Sequence, residues 1–196
     1  MINRSAVRYD ATIREWLALY KYRGNEALEP LLGAILHIAY RGLRAQLTRN
    51  GPGAASLRFD AMVPVPVSEL RLLERGFNQA ERLAAHLAAA ENLPLWDVLR
   101  RVRHSGKQSN KTRGARMRDT RHLFAADVSF MTSRLQQLRE RGSAAADPAG
   151  CRLLLIDDIY TTGSTANACA EALLIAMKKA APAMTVEIYC LTVARS

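Results

Sequence analysis

Hydrophobic positions along the chain follow two spacings, one typical of helices and one typical of strands. Apolar residues over 28–38 recur three and four positions apart, which predicts an amphipathic helix that tolerates Pro30 in its first turn. The aromatic and apolar run over 16–24 ends at a glycine, so it favours a strand or a short helix closed by a turn. The N-terminal part therefore predicts at least one helix that packs on a core.

The middle of the chain predicts a strand followed by a helix. An apolar run with β-branched residues that ends at prolines predicts a strand over 61–65. Helical spacing over 77–88 predicts a helix packed against that strand. A second strand is predicted over 99–102 and a short helix over 131–141, and the small residues at 142–150 are typical of a flexible linker.

The last third of the chain predicts the centre of the sheet. Residues 153–156 form a continuous apolar run, which is typical of a parallel strand covered on both faces. Helical spacing resumes over 168–176, and residues 186–193 supply a last strand. This order of strand, loop, helix and strand predicts an α/β fold with a doubly wound, mainly parallel sheet.

Two acids and a hydroxyl-rich loop with a glycine follow the predicted central strand: Asp157, Asp158, Thr161, Thr162, Gly163, Ser164 and Thr165. Doubly wound sheets bind ligands beyond the carboxyl ends of their strands. Backbone N–H groups at the start of a helix bind phosphate, and ionised carboxylates accept hydrogen bonds from sugar hydroxyls. The pattern predicts a ribose 5-phosphate site. The structural alternative is that Asp158 caps a turn and the Thr–Ser cluster caps the helix.

Composition agrees with one globular domain and adds a strong positive charge. The 196 residues are 49% hydrophobic and 23% charged, which is enough to bury a core. With 28 Lys or Arg against 18 Asp or Glu, the net charge of +10 favours phosphorylated or nucleic-acid partners. Nine of the basic residues lie within 100–122, where a solvated loop and a polyanion-binding segment both fit the pattern.

Cysteine usage and the lack of long apolar stretches predict a cytoplasmic protein. The cysteines Cys151, Cys169 and Cys190 form no disulfide or metal-binding pattern, so we interpret them as small buried hydrophobic residues. No stretch is long and apolar enough to cross a membrane, and the first residues lack the apolar core of a secretory signal.

Residues 153–165 resemble the motif with which type I phosphoribosyltransferases bind 5-phosphoribosyl-1-diphosphate (PRPP). A wider resemblance is carried by residues 20–24, 63–68 and 75–80 together with Arg71, Gln108, Arg116 and Phe124. These segments are similar to the ComF family, named for bacterial competence and DNA uptake, and to its GntX relatives. The resemblance implies one domain of the type I phosphoribosyltransferase fold over 1–196, with an N-terminal helical hood segment at 1–58, a core at 59–196, a flexible lid at 104–123 and an insertion at 131–150.

The resemblance also implies roles for individual residues. Asp157 and Asp158 hold the ribose 2- and 3-hydroxyls at the catalytic centre, and the loop 161–165 holds the 5-phosphate. The expected diphosphate-binding residues are Val67, Ser68, Arg71 and Arg75, and the expected lid residues are Gln108, Lys111 and Arg116. Mg²⁺ is expected to bind the oxygens of PRPP rather than protein thiolates. The implied reaction is displacement of diphosphate from C1 of PRPP by a nitrogenous acceptor that the sequence does not specify.

A second hypothesis is a single-stranded-DNA-binding accessory protein of natural transformation, in which PRPP binding is regulatory or vestigial. It draws on the family resemblance and on the net charge of +10. A DNA-uptake helicase and a second copy of the chain are candidate protein partners. Lys21 and Arg23 are weaker candidates for the diphosphate, since an exposed turn explains them equally well.

Overall fold

The protein is described by a computed structural model that covers residues 1–22, 26–50, 58–102, 123–140 and 150–196. In chain order its elements are β1 (Ile2–Arg8), α1 (Ala11–Tyr22), a short 3-10 helix (Glu26–Leu28), α2 (Glu29–Asn50), β2 (Ala61–Pro64), α3 (Glu69–Arg75), α4 (Gln79–Glu91), β3 (Leu99–Arg101), β4 (Phe124–Ala126), α5 (Val128–Glu140), β5 (Gly150–Tyr160), α6 (Ser164–Ala180) and β6 (Thr185–Arg195). Strands and helices thus alternate along most of the chain.

Four strands form one sheet in the order β1-β6-β5-β2, and all of the neighbours are parallel. Strand β5 lies in the interior of this sheet, with Ile156 opposite Pro64 of β2 and Asp157 opposite Thr192 of β6. Strands β3 and β4 pair separately and antiparallel. The predicted α/β class with a mainly parallel sheet is confirmed.

Alternate residues of β5 enter two cores on opposite faces of the sheet. Leu153 and Leu155 pack in the core that includes α5 and α6, whereas Leu154 and Ile156 pack in the core that includes α1, α2 and α4. All four side chains are fully buried. Helices on both faces explain why this strand is a continuous apolar run rather than an alternating one.

Most elements predicted from hydrophobic spacing are present. The helices predicted over 28–38, 77–88, 131–141 and 168–176 and the strands predicted over 61–65, 99–102 and 186–193 correspond to α2, α4, α5, α6, β2, β3 and β6. The ambiguous run over 16–24 lies in helix α1 as far as Tyr22, and its last two residues lie outside the described part. The three cysteines are free and buried, which confirms their interpretation.

Strands β1 and β4 and helix α3 were not predicted. Strand β1 has no alternation of apolar and polar residues, and it is defined by its pairing with β6 and by the 2.7 Å hydrogen bond between the Ser5 and Thr192 hydroxyls. Helix α3 buries none of its side chains and begins at the cap residue Ser68. Because β1 belongs to the main sheet, the segment predicted as a helical hood also contributes a strand to the core layer.

Some sequence predictions lie outside the described residues. These are the lid over 104–123, of which only Leu123 is described, and the linker over 142–150, of which only Gly150 is described, as the first residue of β5. No helix within the described ranges is long and apolar enough to cross a membrane.

Candidate functional site

The two acids of the predicted site are consecutive residues of β5, and they lie inside the strand rather than beyond it. Successive residues of a strand point to opposite faces, so Asp157 faces the side of α6 and Asp158 the side of α1. Asp157 Oδ1 accepts the N–H of Asp158, and Asp158 Oδ1 accepts the N–H of Ile159, each at 2.9 Å. Both carboxylates therefore have a fixed orientation at the carboxyl end of the strand.

Burial and charge repulsion act together on Asp157. The pKa of its carboxyl is raised well above the usual value, first because the group is buried and second because the negative charge of Asp158 lies next to it. The positive charge of Lys21 lowers this pKa and partly offsets the rise. The pair is thus an electrostatically strained site that favours a compensating positive charge.

That charge is provided by α1. The Lys21 ammonium forms an ion pair with Asp158 Oδ2, and the two side chains are 13% and 8% exposed. From the sequence, Lys21 is a weaker candidate for the diphosphate, whereas the structure places it against Asp158, a ribose-binding candidate. No local pattern indicates this contact, because α1 and β5 are far apart in the chain.

The loop 161–163 leads directly into α6. Gly163 precedes the helix with φ of 77° and provides no side-chain cap. The Thr162 hydroxyl donates to Ser164 Oγ at 3.0 Å, and the hydroxyl-bearing side chains at 161, 162, 164 and 165 are exposed. The first-turn N–H groups of a helix have no partner within the helix, so this end of α6 presents donors and hydroxyls to the same edge of the sheet as the acids.

A glycine is required at position 163 because Tyr160 leaves no room for a side chain. The Tyr160 hydroxyl lies so near the Gly163 Cα that a Cβ at position 163 would overlap it. The Tyr160 ring is in turn covered by the Arg195 guanidinium at 5.4 Å from the ring centroid. Sequence analysis did not single out Tyr160 or Arg195, because the overlap depends on the fold of the loop.

The enclosed part of the site is small. A crevice of about 20 Å³ lies between β5, β6 and the start of α6 and is lined in part by Asp157, Gly163, Thr165 and Thr192. This volume holds about one water molecule. A sugar phosphate bound here must therefore lie on the open surface above the crevice.

The predicted diphosphate-binding residues follow β2, next to the acids. The Val65 N–H donates to the Ile156 carbonyl at 2.9 Å, so residues 65–68 begin beside the end of β5. Ser68 caps α3 by accepting the Arg71 N–H at 3.4 Å, while the Arg71 side chain is exposed. The structure thus places Val67 and Ser68 in the loop after β2 and Arg71 in the first turn of α3, which follows that loop.

Arg75 has a different environment. Its Nη1 donates to Gln79 Oε1 at 2.9 Å and its Nη2 to the Tyr22 hydroxyl at 3.1 Å. The guanidinium also stacks on the Tyr22 ring, 4.9 Å from its centroid. These contacts tie α3 to α1 and α4, and diphosphate binding by Arg75 stays a prediction. The lid candidates Gln108, Lys111 and Arg116 lie outside the described residues.

The chain is similar to proteins of bacterial competence. It is 29% identical to competence protein ComFC of Bacillus subtilis over 172 residues, which cover 88% of this chain and 58% of the relative. It is 26% identical to competence protein F of Haemophilus influenzae over 149 residues, 76% of this chain and 56% of the relative. The DNA utilization protein YhgH of Salmonella typhi is 28% identical over 134 residues, 67% of this chain and 48% of the relative.

The chain spans about half the length of these curated relatives. No protein-family model matches it. The three similarities support the resemblance to the ComF family that the motifs indicated.

Proposed function

We propose that this chain is a phosphoribosyltransferase-like protein of the ComF type, which binds PRPP with Mg²⁺ and transfers its phosphoribosyl group to an acceptor. The observation that carries the proposal is the meeting of two adjacent carboxylates with the open start of α6 at one end of the parallel sheet. A vicinal diol and a phosphate ester in one molecule match these two features. In this proposal the fold is the type I phosphoribosyltransferase fold.

The acidic pair is suited to a ribose diol. An ionised carboxylate has about four lone-pair sites. One site on each acid accepts a backbone N–H, and Lys21 occupies Oδ2 of Asp158. The remaining sites can accept the 2- and 3-hydroxyls of the sugar. Two neighbouring anions repel a phosphate, so we place the phosphate at the loop 161–165 rather than at the acids.

The start of α6 is suited to the 5-phosphate. Its first-turn amides and the positive end of the helix dipole attract an anion. The exposed hydroxyls of Thr161, Thr162, Ser164 and Thr165 add further donors. A sugar gripped by the acids would therefore extend its ester group onto the loop.

The diphosphate is placed on the loop after β2, at Val67, Ser68 and Arg71, with Arg75 as a further candidate. Within the described ranges, no three or more His, Cys, Asp or Glu side chains come together as a metal site. We propose, from the resemblance to type I phosphoribosyltransferases, that Mg²⁺ is held mainly by the oxygens of PRPP, where it would neutralise the leaving diphosphate. Gln108, Lys111 and Arg116 remain proposed lid residues that exclude water during the transfer.

In the proposed reaction a nitrogen of the acceptor forms a bond to C1 of the ribose while the bond from C1 to the diphosphate oxygen breaks. The bonding electrons leave with the diphosphate. Asp157 and Asp158 hold the ring by its hydroxyls, and their negative charge stabilises the positive charge that develops on the sugar. The acceptor is the component that the site does not define.

Calorimetry with PRPP and Mg²⁺ tests this proposal. The variant Asp157→Asn/Asp158→Asn is expected to lose PRPP binding, because it replaces both carboxylates by amides, and to lose diphosphate release with any acceptor that supports it. The matched control Asp97→Asn/Glu140→Gln removes the same charge at exposed positions and should bind PRPP as the parent does. Equal PRPP affinity of the acidic-pair variant and the parent would show that the site assignment is wrong.

A second candidate function is binding of single-stranded DNA in natural transformation. It is favoured by the names of the relatives, which refer to competence and DNA utilization, and by the net charge of +10. In this case the PRPP site is regulatory or vestigial, and a DNA-uptake helicase or a second copy of the chain are the proposed partners. The salt dependence of DNA binding distinguishes this function from a purely enzymatic one.

A further inference from the structure

Two segments that are distant in the sequence interlock beside the acidic pair. The Tyr20 and Phe77 rings pack with centroids 5.3 Å apart. The Arg75 guanidinium lies on the Tyr22 ring and donates to both the Tyr22 hydroxyl and Gln79. We refer to Tyr20, Tyr22, Arg75, Phe77 and Gln79 as the brace. It joins the end of α1 to the α3–α4 turn.

The inner half of the brace is firmly held. Tyr20 is fully buried, and its hydroxyl donates to Glu29 Oε2 at 3.4 Å. Arg82 pairs with the same carboxylate at 3.3 Å and lies over the Phe77 ring at 4.6 Å. Helices α1, α2 and α4 are therefore tied together at this point, which limits the freedom of the end of α1.

The brace is also connected to the loop after β2. Asn78, between two brace residues, donates from Nδ2 to the Val65 carbonyl at 3.2 Å and accepts the Ala80 N–H at 3.1 Å. Asn78 is 9% exposed, so these bonds are shielded from water. The turn that fixes α1 thus also fixes the start of the proposed diphosphate loop.

Lys21 lies between the two brace tyrosines and leaves the helix in the direction of Asp158. Its ammonium meets Asp158 Oδ2, while Oδ1 of the same carboxylate accepts the Ile159 N–H. Both oxygens are thus oriented. Oδ2 is buried against Lys21, so a ribose hydroxyl would have to approach this carboxylate at Oδ1. The cation also compensates the charge of two adjacent carboxylates, which would otherwise repel each other.

We propose that Lys21 is a positioning residue for the ribose, and that the brace holds it in place. Lys21 fixes the Asp158 carboxylate so that it accepts a ribose hydroxyl, and it acts on the ligand through that carboxylate. The inference rests on the proposed function, since it concerns the same PRPP site. In this proposal Arg75, Phe77 and Gln79 together orient α1.

The test measures PRPP with Mg²⁺ and ribose 5-phosphate by calorimetry on four proteins: the parent, Lys21→Met, Asp158→Asn and the double variant. Lys21→Met is expected to lower the affinity for both ligands by a similar factor, on the order of tenfold, as for the loss of a charge-assisted hydrogen bond. In the Asp158→Asn background, Lys21→Met should change the affinity less than about twofold, because the partner of Lys21 is already altered. Lys178→Met, an exposed lysine of α6, is the matched control and should leave both affinities unchanged.

Three outcomes would overturn the proposal. Unchanged or tighter binding by Lys21→Met would mean that Lys21 does not position the acid or that it obstructs the site. A loss of affinity for PRPP alone, with the affinity for ribose 5-phosphate unchanged, would show that Lys21 binds the diphosphate. If the loss of affinity in the double variant equals the product of the losses in Lys21→Met and Asp158→Asn, then Lys21 does not act through Asp158.

Two further variants keep the test valid if Lys21→Met does not fold. Lys21→Arg keeps the cation and should retain most of the affinity for both ligands. Tyr22→Leu removes the contact between Tyr22 and Arg75 and should lower both affinities by a smaller factor than Lys21→Met does. Full affinity in Tyr22→Leu contradicts the role of the brace. Absence of PRPP binding by the parent would instead contradict the proposed function itself, so the two failures are distinguishable.

Discussion

At the scale of single residues, two buried carboxylates are costly to ionise: Asp157 at the candidate site and Asp60 outside it. Burial and the charge of Asp158 raise the pKa of Asp157, and burial also raises the pKa of Asp60, which accepts the Arg152 N–H at 2.7 Å. A raised pKa in the folded state means that protonation favours the folded form. The stability contributed by each group is therefore present at low pH and lost as the pH rises through its folded-state pKa.

This gives a pH-dependent prediction for Asp157. The free energy of unfolding of the parent, relative to Asp157→Asn, should increase as the pH falls from about 8 towards about 4, by about 1.4 kcal/mol for each unit by which the pKa is raised. Urea denaturation at a series of pH values measures this difference. The contribution of Asp60 is common to both proteins and cancels. A difference that stays constant over this range would contradict the raised pKa.

At the scale of elements, the points where loops join helices determine which backbone groups and side chains are exposed at the site. Gly163 before α6 and Gly76 after α3 share a left-handed backbone with φ of 77°. Their surroundings differ, because a Cβ on Gly163 would overlap the Tyr160 hydroxyl, whereas a Cβ on Gly76 would meet nothing within 4 Å. The two glycines therefore form a matched pair that separates backbone strain from steric overlap.

Gly76→Ala should lower the free energy of unfolding by about 1 kcal/mol, the cost of placing an alanine in the left-handed region. Gly163→Ala should lower it by about 1–3 kcal/mol more, because Tyr160 must also move. It should also weaken PRPP binding, since the loop proposed to receive the 5-phosphate is displaced. Urea denaturation compares the two variants, and equal losses of stability would contradict the close packing of Tyr160 on Gly163.

At the scale of the whole molecule, the net charge of +10 attracts polyanions whatever the site does. Such attraction serves a diphosphate-containing substrate and a nucleic acid equally well. The two functions differ in the number of phosphates contacted at once. A DNA strand contacts many, and each contact releases a counterion, so the affinity depends steeply on salt.

If the protein binds single-stranded DNA, its affinity for a labelled oligonucleotide should fall by a factor of about 10³ or more between about 50 and 200 mM salt, as for six or more phosphate contacts. Fluorescence anisotropy measures this. The variant Asp157→Asn/Asp158→Asn should bind DNA at least as well as the parent, because it removes negative charge. Weak or salt-independent binding would count against the DNA-binding function.

The sequence by itself determined the α/β class with a mainly parallel sheet and the residue types that lie at the candidate site. Continuous apolar residues at 153–156 and helical spacing on either side follow from local periodicity, so they specified a covered parallel strand between helices. The acids and the hydroxyl-rich loop are contiguous in the chain, and therefore their proximity required no knowledge of the fold.

Only the tertiary structure decided which distant residues serve that site. Strand β1 exists through its pairing with β6, since its own pattern favours no strand. The contact of Lys21 with Asp158 and the interlocking of Tyr22 with Arg75 depend on how α1 packs across the sheet. Local periodicity encodes which face of an element is buried, but an ion pair between separate elements is fixed only when the helices dock on the common sheet.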